Sequence, residues 1–419
     1  MDSEQLRILF LADAVAEDLP GGSRTAAREL ARGLTERGHR VTFLVGRQNA
    51  DAPEDETRNG VRIVRYAGAG KAGEYVRQGQ EACAKLMHET SFDLAHTHFA
   101  YAGLGPLRAL PNSIPRVRTF HGPWDEEGWI EDTQCGTAWT IKACVKRCLR
   151  RQIERGSLKS SAKVLTLSQC FKNMTSGSYG VSEQRVKTIP GGADTNAFYP
   201  APDKTAVRRE LGLPLEGQIL LSIRRLVPRM GLDRLIQAMP EVIARCPNTR
   251  LLIGGQGPEE ARLQTLISTL RLDAHVRLIG FIPSEKLAAY YQAADLFVMP
   301  TLALEGFGLV TTEALACGLA VVGTPIGATP EILIPLDQRL IARSPASHDL
   351  ADAVAGYLLG DWRQALAPKR LHEYVQRNYT WDQHVSRTEQ VYWDLISSLE
   401  PAEHTKRAAI LTSVRTAAR

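Results

Sequence analysis

Short apolar runs alternate with longer amphipathic stretches along most of the chain. Leu6 to Ala12 is the first apolar run, and it ends at Asp13. Ala26, Leu30, Ala31 and Leu34 then recur at helical spacing between Arg24 and Glu36, and Gly38-His39 stops that helix before a second run, Val41 to Val45. Further strand-like runs follow at Val61 to Tyr66, Phe92 to His98, Arg116 to Phe120, Ala162 to Leu167 and Val186 to Pro190. The rhythm resumes at Ile219 to Ile223, Leu251 to Ile253, Val276 to Ile279, Ala294 to Pro300 and Leu319 to Gly323. Runs bounded by turn residues and separated by helical periodicity predict βα units and parallel sheets covered on both faces.

A chain of 419 residues is too long for one ordinary core and predicts two domains. The stretch Pro190 to Pro200, rich in Gly, Pro and polar residues, marks the boundary between residues 1–199 and 200–379. Apolar residues make up 44% and charged residues 23%, as in an ordinary globular protein. A net charge of +5 tolerates anionic ligands but is too small to point to nucleic acid. Seven scattered cysteines without a Cys-x-x-Cys pair suit reduced thiols and no zinc site. No signal-peptide pattern opens the sequence and no apolar run reaches membrane-spanning length, so the expected location is cytoplasmic.

The most chemically suggestive stretch is Leu302 to Gly318, a loop with Gly306 and Gly308 leading into an apolar helix that Gly318 closes. Glycines there let backbone N–H groups approach a ligand, and a helix start favours an anion such as a diphosphate. Glu305 and Glu313 bracket that loop with no basic neighbour in sequence. Two acids flanking a phosphate site suit hydroxyl groups at either end of a nucleotide sugar. On spacing alone, Glu305 reads more readily as a loop acid and Glu313 as a solvated helix residue. Together, Glu305-Gly306-Phe307-Gly308-Leu309 and Glu313-Ala-Leu-Ala-Cys-Gly resemble the two-glutamate signature of the retaining glycosyltransferases of family 4. That resemblance implies a GT-B fold, two Rossmann-like α/β domains facing a cleft, with nucleotide sugar on the C-terminal side and acceptor on the N-terminal side. It also implies a crossover near Tyr379-Thr380-Trp381 that returns the last helix, about 380–399, to the N-terminal domain.

Other matches run along the chain. Gly21-Gly22 follows the first strand where the family faces the donor across the cleft; read alone, it is equally an ordinary strand–helix turn. Thr119-Phe120-His121-Gly122 resembles Thr-x-His-Gly, whose His lies near the transferred sugar, and His98 is a candidate acceptor contact. Trp124, Asp125 and Glu126 open an aromatic and acidic segment, Trp124 to Trp139, that reads as a loop beside an acceptor pocket or as a surface loop with aromatic anchors. Arg225-Leu226 matches the Arg-Leu of the family's diphosphate grip, but Met230 stands where the family has Lys, leaving Arg224 or Arg229 to supply the cation. Gly280-Phe281 matches the base-binding turn, where backbone contacts leave the base unspecified.

The resemblance thus assigns Glu305 to the transferred sugar, Glu313 to ribose, Arg225 with Arg229 or Arg224 to phosphates, and His121 to hydrogen bonding near the sugar. No Asp-x-Asp pair occurs, so a metal-independent reaction without cofactor is expected, with cations and helix N-termini holding the leaving diphosphate. The polar, acidic loop suits a small polar acceptor. A lipid or polysaccharide acceptor, and a nucleotide-sugar epimerase, are the alternatives. Thr140 to Arg155 is a basic amphipathic helix, read as a solvated face over a core stripe of Ile141, Cys144, Val145, Cys148, Leu149 and Ile153, with an anionic membrane surface as the alternative. Residues 401–419 read as a polar tail.

Overall fold

The computed structural model describes residues 5–67, 72–134 and 141–398; the predicted tail, and Trp139 of the acidic segment, lie outside them. The N-terminal half holds β1 (Arg7–Ala12), β2 (Arg40–Gly46), β3 (Asp55–Arg58), β4 (Val61–Tyr66), β5 (Leu94–Thr97), β6 (Arg116–Phe120), β7 (Lys163–Thr166) and β8 (Val186–Thr188). Its helices are α1 (Gly22–Glu36), α2 (Ala72–Glu89), α3 (Ala100–Gly103), α4 (Pro106–Ala109), α5 (Trp124–Gln134), α6 (Ile141–Ser160) and α7 (Gln169–Tyr179). These eight strands form one sheet in the order β3-β4-β2-β1-β5-β6-β7-β8, parallel apart from β3 against β4. Successive residues of β1 serve opposite faces. Ile8 and Phe10 join the cluster of α1, while Leu9 and Leu11 join Cys83 and Leu86 of α2. A strand buried on both faces explains the unbroken apolar run in the sequence.

The second sheet contains β9 (Gln218–Ile223), β10 (Thr249–Gly254), β11 (Val276–Gly280), β12 (Leu296–Met299) and β13 (Val321–Gly323), all parallel, in the order β11-β10-β9-β12-β13. Around it lie α8 (Lys204–Glu210), α9 (Leu232–Arg245), α10 (Glu260–Thr269), α11 (Ser284–Ala293), α12 (Leu309–Ala316), α13 (Thr329–Leu333), α14 (Ser347–Leu359) and α15 (Pro368–Asn378). After α15 the chain crosses back. Ala193 N–H donates to the Tyr379 carbonyl at 2.9 Å, Thr380 caps the last helix, α16 (Trp381–Ser397), and α16 packs Val385, Val391, Tyr392 and Leu395 into the core of the first sheet. Tyr392 hydroxyl meets His96 Nδ1 at 2.5 Å, and Thr119 takes the other imidazole nitrogen at 2.7 Å, so His96 is fully committed inside the domain.

Several sequence expectations change. The edge strand β3 is missed because Asp-Glu-Thr-Arg carries no apolar alternation. Residues from Trp124 are a helix, not a loop: Asp125, Glu126 and Glu127 fill its first turn, where acids offset the partial positive charge of the N-terminus. Between α14 and α16 the chain forms a 3₁₀ segment, Asp361–Leu366, and then α15, which starts at Pro368. The largest change is α6. Its buried side chains are Ala143, Glu154, Ser157 and Leu158, whereas Ile141, Val145 and Leu149 of the expected core stripe are exposed, as are Cys144 and Cys148. No helix among the described residues is long and apolar enough to cross a membrane.

Candidate active site

Each sheet has one place where the strand order reverses direction, and open α/β sheets bind ligands beyond the carboxyl ends of the strands there. In the first sheet the reversal lies between β1 and β5; in the second it lies between β9 and β12. Gly21-Gly22 follows β1, His98 follows β5 and His121 follows β6. Arg224 and Arg225 follow β9, Phe281 follows β11, and the Glu305 loop follows β12. The two sets face each other. A Cβ on Gly22 would lie 3.8 Å from Leu309 Cδ1, and one on Gly306 would lie 2.9 Å from the His121 carbonyl and 2.8 Å from the Phe171 ring. Gly306 therefore permits an interdomain approach that a side chain would block.

Glu305 is anchored from both ends. Its Oε2 accepts from Arg224 Nη2 at 2.5 Å and from Thr301 Oγ1 at 3.0 Å, while its carbonyl accepts from Ala328 N–H at 3.0 Å. The Arg224 guanidinium also rests on the sulfurs of Met299 and Met230, at 2.9 and 2.7 Å. Both members of the ion pair are nearly closed off, with side-chain exposures of 6% and 9%. Arg224 thus occupies the space beside Met230 and neutralises an acid that would otherwise repel a phosphate. Glu305 Oε1 is left toward Gly308, 3.5 Å from where that residue's Cβ would stand. Gly308 adopts a left-handed φ of 81° and opens α12, so the first N–H groups of that helix lie next to the free carboxylate oxygen. Phe307 is buried against Gly191 of the interdomain linker.

Arg225 and Arg229 bind acids of the opposite domain. Arg225 Nη2 donates to Glu131 at 2.7 Å, and Arg229 Nη2 pairs with Glu127 at 3.1 Å, both acids lying on α5. Arg229 also donates to the Leu304 carbonyl at 3.2 Å. Both acids belong to the acidic segment read from the sequence, but neither was singled out as a site residue; the cue was a helical i, i+4 spacing within a stretch taken for a loop. Asp125, by contrast, faces away from the cleft. It is fully buried, accepts from the Tyr179 hydroxyl and lies 3.5 Å from Arg151, so its place among the acceptor contacts is corrected to a structural one. Glu126, one position on, has no hydrogen bond to a side chain among the described residues. Trp124 packs edge-on against Phe99, beside Tyr101 and under Arg150. Phe281 is 55% exposed, just beyond Gly280 at φ 70°.

The imidazoles of His98 and His121 contact each other, Nδ1 to Nε2, at 3.2 Å. Burial, and then the Arg118 guanidinium, push His121 down to about 3, and burial with the neighbouring imidazoles pushes His98 well below its usual value. Both rings are neutral at pH 7, so they act as paired dipoles and not as acids. His98 Nε2, His121 Nδ1, Arg229 Nε and Thr311 Oγ1 are buried with no hydrogen-bond partner among the described residues. Such atoms are rare in finished interiors, and a bound ligand offers them partners. Among the described residues no cluster of His, Cys, Asp or Glu has the makings of a metal site.

Two Rossmann-like domains with opposed switch points, and orphaned polar atoms in the cleft between them, make a GT-B fold with a ligand site. Residues 20–197 match the model described as Glycosyltransferase Family 4, and residues 203–378 match Glycosyl transferases group 1. The chain belongs to glycosyltransferase family 4 and is a nucleotide-sugar-dependent transferase. It is 34% identical over 271 residues to a GDP-mannose-dependent alpha-(1-6)-phosphatidylinositol monomannoside mannosyltransferase of Mycolicibacterium smegmatis, covering 63% of this chain and 66% of that protein. A D-inositol 3-phosphate glycosyltransferase 2 of Catenulispora acidiphila is 26% identical, over 93% of both chains. Among solved structures, sucrose-phosphate synthase from Thermosynechococcus elongatus superposes with a TM-score of 0.80 at 25% identity, over 94% of this chain and 100% of that one. HepE of Anabaena, solved with UDP and glucose, shares the fold with a TM-score of 0.74 at 19% identity, over 94% and 100%.

Glu313 sits on α12 and accepts from the Tyr291 hydroxyl at 2.9 Å. Its packing between α11 and α12 pushes the carboxyl up to about 7 despite some remaining exposure, Tyr291 opposing the shift. A carboxyl with a raised pKa holds its proton below that value and ionises above it, and an ionised carboxylate is the stronger acceptor for a hydroxyl. Affinity for the intact nucleoside diphosphate sugar, whose doubly esterified diphosphate does not titrate in this range, is therefore expected to rise from about pH 6 to about pH 8 if Glu313 holds the ribose. Calorimetric titration should show that slope in the native protein and a flat profile in Glu313→Gln. A slope that survives the substitution removes Glu313 from the binding site.

Proposed function

We propose that the protein transfers a hexose from a nucleoside diphosphate sugar to a hydroxyl of a small polar polyol, with retention at the anomeric carbon and without a metal ion. The observation that carries this reading is the convergence, at the second switch point, of Arg225, Arg229, the α12 start and the Arg224-buttressed Glu305, opposite the neutral His98–His121 pair. The diphosphate lies at Gly308 and the first N–H groups of α12, where it displaces Glu131 and Glu127 from Arg225 and Arg229. Glu305 Oε1 accepts from hydroxyls of the transferred sugar, Glu313 from ribose, and the exposed Phe281 turn borders the base. Positive charge at Arg225 and Arg229 then stabilises the departing diphosphate, an interaction that strengthens as the bond breaks. The acceptor hydroxyl enters on the same face as the leaving phosphate, which takes its proton, so no side-chain nucleophile is needed. Two relatives act, by their names, on inositol-bearing acceptors, which makes an inositol-type polyol the class to test first.

Purified protein incubated with GDP-mannose or UDP-glucose and an inositol phosphate is expected to release nucleoside diphosphate and form a glycoside of retained configuration, read by NMR, with activity surviving EDTA. Arg225→Ala is expected to lower kcat by about 10²-fold with little change in KM. Release of an altered nucleotide sugar with no acceptor present would make the protein an epimerase, and loss on EDTA restored by one metal would contradict the metal-free mechanism.

The site also makes a specific statement about Met230. The Arg224 guanidinium already lies 2.7 Å from the Met230 sulfur, so Met230→Lys brings a second cation into an occupied space. The expected outcome is no gain in turnover and a lowered Tm from like-charge repulsion. A large rise in transfer rate would show that Arg224 leaves the position unserved.

A further inference from the structure

The outward face of α6 is apolar, basic and free of acids. Ile141, Val145 and Leu149 recur every four residues and are 86%, 61% and 60% exposed. Cys144 and Cys148 lie on the same side. Three side chains at this spacing line one helix face, over about 12 Å of its length. The flanks carry Lys142 and Lys146 on one side and Arg155 on the other, with Lys159 further along, while Arg151 is turned to the buried Asp125 at 3.5 Å. The only acid in α6 is Glu154, which is fully buried and turned inward to Arg118 at 2.8 Å. Lys146 is partly engaged by Asp132 at 3.4 Å, whereas Lys142, Arg155 and Lys159 form no ion pair among the described residues.

We propose that this face of α6 docks on an anionic lipid surface. An amphipathic helix lying in a bilayer interface needs an apolar ridge, flanking cations to meet lipid phosphates, and no outward acids, and α6 supplies all three. Charge selects among occupants. A second copy seated face to face would set Lys142, Lys146 and Arg155 against their own counterparts, with no outward acid on α6 and with Asp132 of α5 beside them already engaged by Lys146 and Arg150. The inward side of the helix is taken by the protein itself, through Ala143, Ser157 and Leu158. Nothing here depends on the glycosyl-transfer reading. It does bear on it, because α6 packs along α5, which begins just after His121, and so the bilayer would lie within about one helix length of the cleft. An acceptor presented by a lipid headgroup would be within reach.

The test is flotation of the full chain with vesicles of phosphatidylcholine alone or mixed with phosphatidylglycerol. Binding is expected only to the mixed vesicles, is expected to fall with added salt, and is expected to weaken on the order of tenfold in Val145→Glu, Leu149→Glu and Lys142→Glu. These positions are exposed, so the variants should keep the native Tm and nucleotide affinity, separating loss of docking from loss of fold. Equal binding to neutral vesicles, binding unchanged in the three variants, or no binding at all overturns the proposal. So does a concentration-dependent dimer that Val145→Glu dissolves, since a second copy would then be the occupant.

Discussion

The buried pair between Arg224 and Glu305 joins the loops after the two strands that flank the second switch point, and the proposed donor side is built around it. Enclosing both charges costs several kcal/mol of lost hydration, offset only by close contact and further hydrogen bonds. Those are present: Thr301 on the carboxylate, two methionine sulfurs against the guanidinium, and Ala328 on the Glu305 backbone. The result is a carboxylate fixed at one oxygen and free at the other, beside the start of α12. An acid that would repel a diphosphate becomes compatible with one because a cation is locked behind it. Met230 belongs to the same device, offering a soft, polarisable surface where a second cation would be unwelcome.

Around that anchor, charge also couples the domains. Arg225 and Arg229 reach to α5 of the other domain, and Glu331 of α13 returns the contact by accepting from the N–H groups of Gln169 and Cys170 at 2.8 Å, where α7 begins. A carboxylate at a helix start is favourable in itself. The arginines proposed for the phosphates are thus held by acids proposed to yield them. Occupation of the donor site then changes what α5 holds, and α5 adjoins both His121 and the lipid-facing helix.

Much of this was legible in the sequence. Apolar runs and turn residues placed every strand but β3 to within a residue or two, and His121, Arg225 and the Glu305–Gly308 loop all follow the carboxyl ends of strands. Other features were hidden for physical reasons. Arg224 and Glu305 are 81 positions apart, so no local pattern pairs them. The acids of α5 looked like loop chemistry because an acid-rich first turn stabilises a helix without giving it apolar periodicity. Asp125 carried the right chemistry on the wrong side of that helix. In α6 the period was read correctly and the environment was not, since an apolar stripe shows that a face exists and not what covers it.

The most direct measurement is a double-mutant cycle on the central pair, reading both unfolding free energy and turnover for Arg224→Met, Glu305→Gln and the double variant. Removing Arg224 alone strands a buried carboxylate and should cost about 3–5 kcal/mol, whereas the double variant should recover much of that stability. Turnover should stay low in all three, because the role proposed for Glu305 at the transferred sugar needs a carboxylate held in place. Stability losses that simply add, or an Arg224→Met protein that folds and turns over normally, would contradict the account.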